Sequence, residues 1–84
     1  MKTKFRLEFA PRFERRLKDL DLQTQARILR EVHVLAEKPY AGKPLRGPWE
    51  GTHSLRIGTY RVIYLVLEDK IVLLTVGHRR KVYE

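Results

Sequence analysis

The last third of the chain places arginines and a tyrosine next to apolar segments that have the length of strands. Residues 55–64 read LRIGTYRVIY, and an apolar stretch then leads to residues 75–84, TVGHRRKVYE. Arginine stays charged at neutral pH, and its planar guanidinium matches the geometry of phosphate oxygens. These residue types at this spacing predict a phosphate-binding site built on a sheet.

A tight turn within this stretch brings two arginines together. Gly58 and Thr59 suit a two-residue type II′ turn, whose first central position needs a positive φ. Arg56 would then lie directly opposite Arg61 on one face of the hairpin. At about 5 Å, two like charges repel by roughly 1 kcal/mol in water and about 3 kcal/mol at an effective dielectric constant of about 20. An anion bound between them would reverse the sign of this interaction, whereas two solvated rim residues are the alternative.

The residue that joins these arginines from the last strand depends on the turn that precedes it. A three-residue turn pairs Arg61 with Gly77 and puts Arg79 on the same face. A register shifted by one residue brings His78 and Arg80 there instead. The sequence leaves both registers open.

The periodicity of the whole chain predicts a single α+β domain over residues 1–84, with the order β-α-α-β-β-β. An antiparallel sheet packs on an N-terminal helical hairpin in this arrangement. The predicted elements are a strand at 2–9, helices at 11–20 and 22–38, a loop at 39–51 and strands at 52–57, 60–67 and 71–76. On the first helix, Arg12, Arg15, Arg16 and Lys18 are expected to face outward.

Composition narrows the classes of partner. The chain has 18 Lys and Arg against 10 Asp and Glu, a formal net charge of +8, and no cysteine. The charge favours an anionic partner, nucleic acid above all, with a merely solubilising surface as the alternative. No disulfide is possible, and the three histidines lack ligand spacing, so neither a metal nor a cofactor is expected. Without an apolar run of about 18 residues, we expect a cytoplasmic protein that does not enter a membrane.

The strand at 60–67 is apolar on both faces, and the helices can cover only one of them. The second face would be covered either by a protein partner or by the loop at 39–51, which contains Trp49.

Three motifs, in their order along this basic chain, resemble those of a known family. They are PLRG at 44–47, LRIGTYRVIY at 55–64, and VGHR at 76–79 followed by VY at 82–83. The chain resembles the RelE branch of the RelE/ParE toxin superfamily, the toxins of type II toxin-antitoxin modules. The resemblance implies the RelE-like fold, ribosome-dependent cleavage of mRNA in the A site, and inhibition by a RelB-type antitoxin in a hetero-oligomer.

The resemblance also implies residue roles. In this chemistry the 2′-hydroxyl attacks the neighbouring phosphate and leaves a 2′,3′-cyclic phosphate. Arg61 and Arg79 would hold the scissile phosphate, and Tyr83 would act on the nucleophile or stack on a base. The surrounding RNA-binding set would comprise Arg46, His53, Arg56, His78 and Arg80. Thr52 and Ser54 stand where the best-known member carries two lysines.

Two other functions are compatible with this chain. The ParE-like branch shares the fold but poisons DNA gyrase. A basic RNA-binding module without catalysis is the second alternative, because Thr52 and Ser54 replace the lysines.

Overall fold

The computed structural model of the chain describes residues 4–83, so residues 2 and 3 of the predicted first strand lie outside the described residues. The elements are β1 (Arg6–Phe9), α1 (Pro11–Lys18), α2 (Leu22–Val32), β2 (Lys43–Pro44), β3 (His53–Ile57), β4 (Tyr60–Leu67) and β5 (Lys70–His78). Short 3₁₀ turns occur at His33–Ala36 and Gly47–Trp49. The predicted order is confirmed, and β2 is an additional two-residue strand within the predicted loop.

The five strands form one sheet in the order β1-β5-β4-β3-β2. The predicted α+β class is confirmed, but the sheet is mixed, because β1 pairs with β5 in parallel while the other pairs are antiparallel. A parallel pair needs a connection of about a dozen residues or more. The helical hairpin and the rest of the sheet provide that connection here.

Local sequence explains the two helices. Pro11 occupies the start of α1, where its missing N–H costs nothing. Asp21 caps α2 by accepting hydrogen bonds from Thr24 N at 3.2 Å and from Thr24 Oγ1 at 2.6 Å. The hydrogen bonds from Thr24 lower the pKa of Asp21 below its usual value. The second helix ends at Val32, earlier than predicted, and its continuation tightens into the 3₁₀ turn before Pro39.

The core lies between the helices and one face of the sheet, which we call the helix face. The helices contribute buried apolar side chains at the spacing of one helical stripe, and the strands contribute every second residue. The core comprises Phe13, Leu17, Ile28, Val32, Leu35, Ile57, Val62, Tyr64, Ile71, Leu73 and Val76.

A β-bulge sets the register of the last hairpin. The hairpin starts with Leu67 opposite Lys70, so its turn has two residues and not three. Glu68 in this turn has a positive φ of 36°. The register then shifts between Ile63 and Tyr64, because Leu74 is inserted into β5 without a partner.

The other face of the sheet, the open face, is covered in part by the chain itself. Ile63 points to this face and is fully buried, as is Val82 from the chain end. Trp49 contacts the ring of Tyr83 edge-on, with centroids 5.8 Å apart. The loop thus contacts the chain end, and its cover over β4 stays a prediction, as does cover by a protein partner; Leu67 on the other half is 41 % exposed. No helix within residues 4–83 is long and apolar enough to cross a membrane.

Candidate phosphate-binding site

The paired arginines lie where the turn prediction placed them. Gly58 has a φ of 61°, and Arg56 lies directly opposite Arg61 on the open face. Arg56 is exposed and Arg61 is partly buried. Two guanidinium groups on one face of adjacent strands form a local concentration of positive charge, which suits a phosphate oxyanion.

A buried hydroxyl contacts the more buried arginine. Arg61 Nη1 lies 3.4 Å from Ser54 Oγ. Ser54 is only 2 % exposed and belongs to the neighbouring row of the sheet, in which it pairs with Ile63. Thr75 completes this row from β5, is 1 % exposed, and its Oγ1 has no hydrogen-bond partner among the described residues. The guanidinium of Arg61 therefore reaches the row formed by Ser54, Ile63 and Thr75 and contacts the hydroxyl of Ser54.

The chain end brings further groups to this region. Arg61 pairs with Gly77, and Arg79 follows two residues later, directly after the end of β5 at His78. The backbone N–H of Arg79 donates to the carbonyl oxygen of Thr59 at 2.8 Å, which ties the chain end to the turn of the arginine hairpin. Tyr83 is 43 % exposed and rests against Trp49.

Thr52 and Ser54, for which the resemblance implies lysines in the best-known relative, have structural roles here. Thr52 Oγ1 donates to the carbonyl oxygen of Trp49 at 2.6 Å and so fixes the loop that contacts Tyr83. Ser54 contacts Arg61, as described above. Arg46 lies exposed at the start of the same loop, directly before the Gly47–Trp49 turn.

The structure does not bring the two predicted histidines to this face. His53 shares the helix face with Ile57, stacks on Tyr64 at 5.4 Å, and its buried Nδ1 has no hydrogen-bond partner among residues 4–83. His78 pairs with Tyr60 and contacts its ring edge-on at 5.9 Å, again on the helix face. Arg80 is exposed in the turn after β5, where its N–H approaches His78 Nδ1 at 3.4 Å.

One arginine near this region, Arg16, is predicted by the helical periodicity to face solvent. Arg16 on α1 is partly buried, and its Nη1 lies 3.5 Å from the position that a Cβ on Gly77 would occupy. Helical periodicity cannot identify such a contact, because it depends on how α1 lies beside the end of β5.

Comparison with known proteins identifies the family. The family model described as "ParE toxin of type II toxin-antitoxin system, parDE" matches residues 7–83. This chain belongs to the RelE/ParE toxin superfamily. The toxin is also 46 % identical over 44 residues to Toxin RelG of Mycobacterium tuberculosis, a match that spans 50 % of this chain and 51 % of RelG.

Solved structures with the same fold come from both branches of the superfamily. The RelBE2 toxin-antitoxin complex of Mycobacterium tuberculosis contains a chain that is 31 % identical, with a TM-score of 0.86 over 94 % of this toxin and 95 % of that chain. The chromosomal ParDE system of P. aeruginosa gives 16 % identity and a TM-score of 0.77, covering 89 % of this toxin and 96 % of that chain. The intact RelBE complex of E. coli contains a chain that is 22 % identical, with a TM-score of 0.73 over 88 % of this toxin and 95 % of that chain. The last two establish the fold alone.

Proposed function

We propose that this RelE/ParE toxin inhibits translation by cutting mRNA in the ribosomal A site. The observation that carries the proposal is the cross-strand pairing of Arg56 with Arg61, with Arg79 tied to the adjacent turn. Like charges on facing strands are unfavourable unless an anion lies between them, and the RNA backbone supplies such an anion.

The proposed reaction uses the RNA's own hydroxyl as nucleophile. The 2′-oxygen attacks the adjacent phosphorus, and the bond to the 5′-oxygen breaks, which leaves a 2′,3′-cyclic phosphate and a 5′-hydroxyl. Arg61 and Arg79 stabilise the charge that develops on the phosphate oxygens. Losing one preorganised donor of this kind typically costs about 2.7–4 kcal/mol of transition-state stabilisation.

Tyr83 acts on the 2′-hydroxyl or stacks on a neighbouring base. Its edge contact with Trp49 holds the ring while leaving 43 % of the residue accessible. Thr52 supports this arrangement through its hydrogen bond to Trp49. A site on an open sheet face gains from a substrate that is already positioned, and mRNA held by the ribosome meets this requirement.

The toxin is proposed to be held inactive in the cytoplasm by a RelB-type antitoxin. Structural neighbours of this fold were solved as toxin-antitoxin complexes. The uncovered part of the open face, where Leu67 is exposed, offers apolar surface to such a partner, and the net charge of +8 favours an acidic one.

Primer extension on translating ribosomes tests this function. Purified toxin is added to a defined translation system, and the 5′ ends of the mRNA are mapped with and without it. We expect new ends at A-site codons with wild-type toxin and a loss of these ends with Arg61→Ala. Tyr83→Phe separates the two roles of Tyr83, because it keeps the ring but removes the hydroxyl. Absence of cleavage by folded toxin would exclude the nuclease.

The ParE-like branch is the second candidate, and the family model that matches residues 7–83 favours it. A gyrase poison traps covalent gyrase-DNA complexes. A supercoiling assay with purified gyrase, run beside the translation assay with the same protein preparation, distinguishes the two. Linear DNA after denaturation, together with intact mRNA, would assign the toxin to the gyrase branch.

A further inference from the structure

A cleft of about 330 Å³ lies between the end of α1 and the end of β5. Leu20 and Val76 line its apolar part, and Arg16 and Lys81 contribute positive charge. The rings of Tyr60 and His78 also line it and contact each other edge-on, with centroids 5.9 Å apart. Basic side chains next to aromatic rings are the combination that single-stranded nucleic acids require.

The cleft adjoins the arginine site through the backbone of two strands. Tyr60 follows the turn at Gly58 and Thr59 and directly precedes Arg61. His78 directly precedes Arg79. Alternation along each strand places the two rings on the helix face and Arg61 on the open face. An RNA strand meets both surfaces by passing around this end of the sheet.

Arg16 connects the cleft to the row that contains Arg61. Its Nη1 lies 3.5 Å from where a Cβ on Gly77 would sit, and Gly77 is the partner of Arg61 in the sheet. The missing side chain at Gly77 also lets the chain end fold back, since Val82 Cα lies 3.4 Å from the same position. Lys81, in that returning turn, lines the cleft together with Arg16.

We propose that this cleft binds one nucleotide of an RNA strand, adjacent to the phosphate held by Arg61 and Arg79. The phosphate contacts Lys81, and the base lies against Tyr60 and His78. The inference rests on the proposed RNA substrate and extends its path beyond the cleavage site. The volume lies at the lower end of the range for ligand pockets, roughly 300–1,000 Å³, as a single nucleotide requires.

Nucleotide chemistry fits this cleft better than an acidic peptide does. Asp19 also lines it and contributes a carboxylate. The same carboxylate can accept a hydrogen bond from a ribose hydroxyl or from an exocyclic amino group. The apolar part has room for the face of a base, which an acidic side chain cannot use.

Binding of a labelled single-stranded RNA hexanucleotide, followed by fluorescence anisotropy at several salt concentrations, tests the proposal without the ribosome. Lys81→Ala should lower the slope of log K against log salt by about 0.7, the value for one lost phosphate contact on a single strand. His78→Ala should weaken binding by about fivefold or more, as expected for a lost stacking partner. Arg15→Ala is the matched control, because Arg15 is exposed on α1 and does not line the cleft. Equal slopes and affinities for Lys81→Ala and Arg15→Ala would overturn the proposal.

Photocrosslinking with a 4-thiouridine-containing RNA locates the bound strand. Crosslinks to peptides containing Tyr60 or His78 are expected, and Lys81→Gln should reduce them as Lys81→Ala does. These crosslinks should persist in Arg61→Ala, so that a failure of the cleavage function remains distinguishable from a failure of the cleft. Crosslinks confined to Trp49 and Tyr83 would refute nucleotide binding here.

Discussion

Arg61 lies directly opposite Gly77, and the bulge at Leu74 creates this pairing. Without the bulge, the register at the start of the β4–β5 hairpin would continue and bring Val76 opposite Arg61. Arg79 would then point toward the helix face. The bulge therefore sets the alternation by which Arg79, the first residue after β5, would follow Gly77 toward the open face. Bulges often adjust the direction of side chains next to functional sites.

This register predicts different effects for two adjacent arginines. Arg79→Ala should slow mRNA cleavage by about 10²- to 10³-fold, since it removes a charge from the transition-state site. Arg80→Ala should change the rate by less than about threefold, because an exposed charge beyond the site contributes only weak, screened attraction. Single-turnover cleavage rates on programmed ribosomes provide the measurement.

The two variants control for each other, because both remove one exposed arginine from the same turn and change the net charge equally. Circular dichroism and antitoxin binding should be unchanged in both. If Arg80→Ala is the slower enzyme, the register derived from the bulge does not describe the active molecule.

The sequence was sufficient to predict the arginine hairpin but not this bulge. Gly58 and Thr59 have the residue preferences of a specific two-residue turn, so the position of Arg56 opposite Arg61 followed from turn chemistry. Residues 71–76, IVLLTV, are apolar at both parities, so a shift by one residue exposes no charge and leaves no trace in the pattern. The three-residue turn that the sequence also allows pairs Arg61 with Gly77. The structure reaches the same pairing in another way, through a two-residue turn followed by the bulge.

The same reasoning explains where the site prediction and the structure differ. His53 lies close to Arg56 in sequence, but the two are three positions apart along the strand, and such an odd offset puts them on opposite sides of the sheet. Arg16 is the opposite case. Its position on α1 suggested solvent, and only the packing of the helix beside β5 brings it to Gly77.

Arg56→Gln should stabilise the folded protein while weakening its hold on RNA. Removing one of two facing charges relieves a repulsion of about 0.5–1 kcal/mol at low salt, at the lower end of the range because Arg56 is exposed. Urea unfolding at low and at about 1 M salt measures this effect, which screening should remove. Arg15→Gln, on an exposed helix surface, is the control. A loss of stability in Arg56→Gln would show that the two arginines do not repel each other in the free toxin.

Removing the buried hydroxyl of Ser54 and that of Thr75 should have different effects on cleavage and on stability. Ser54→Ala loses the contact with Arg61 Nη1 at 3.4 Å and should slow cleavage by about threefold to tenfold through a less ordered guanidinium. Thr75→Val keeps the shape and removes a hydroxyl without a partner in the described chain, which should raise the free energy of unfolding by about 1 kcal/mol and leave cleavage unchanged. Cleavage rates and urea unfolding are measured for both. Equal cleavage by Ser54→Ala and the wild type would remove Ser54 as a positioning residue.

Tyr64→Phe should destabilise the fold without affecting the site. The Tyr64 hydroxyl accepts the Gly42 N–H at 2.9 Å, and its ring is fully buried in the core. Phenylalanine keeps the packing but leaves this N–H without its acceptor, which costs about 1–3 kcal/mol. For a domain of this size, each kcal/mol lowers the melting temperature by about 4–8 °C. Gly42→Ala should be worse, because its Cβ would lie 2.7 Å from the Tyr64 hydroxyl oxygen and 2.8 Å from the Ser54 carbonyl oxygen.

The pH dependence of this difference provides the sharper test of Tyr64. Burial raises the pKa of Tyr64 above its usual value of 10.0, and the nearby Tyr40 raises it further, although the Gly42 hydrogen bond acts in the opposite direction. Because the folded state favours the protonated phenol, the contribution of Tyr64 is complete below the unfolded pKa of 10.0 and is lost as the pH rises through the higher folded pKa. Urea unfolding of wild type and Tyr64→Phe in parallel cancels the titration of the lysines and of the other tyrosines. The stability advantage of the wild type should be constant up to about pH 9 and then shrink. An advantage that persists unchanged well above this range would mean that the Tyr64 phenol ionises as readily in the folded chain as in the unfolded one.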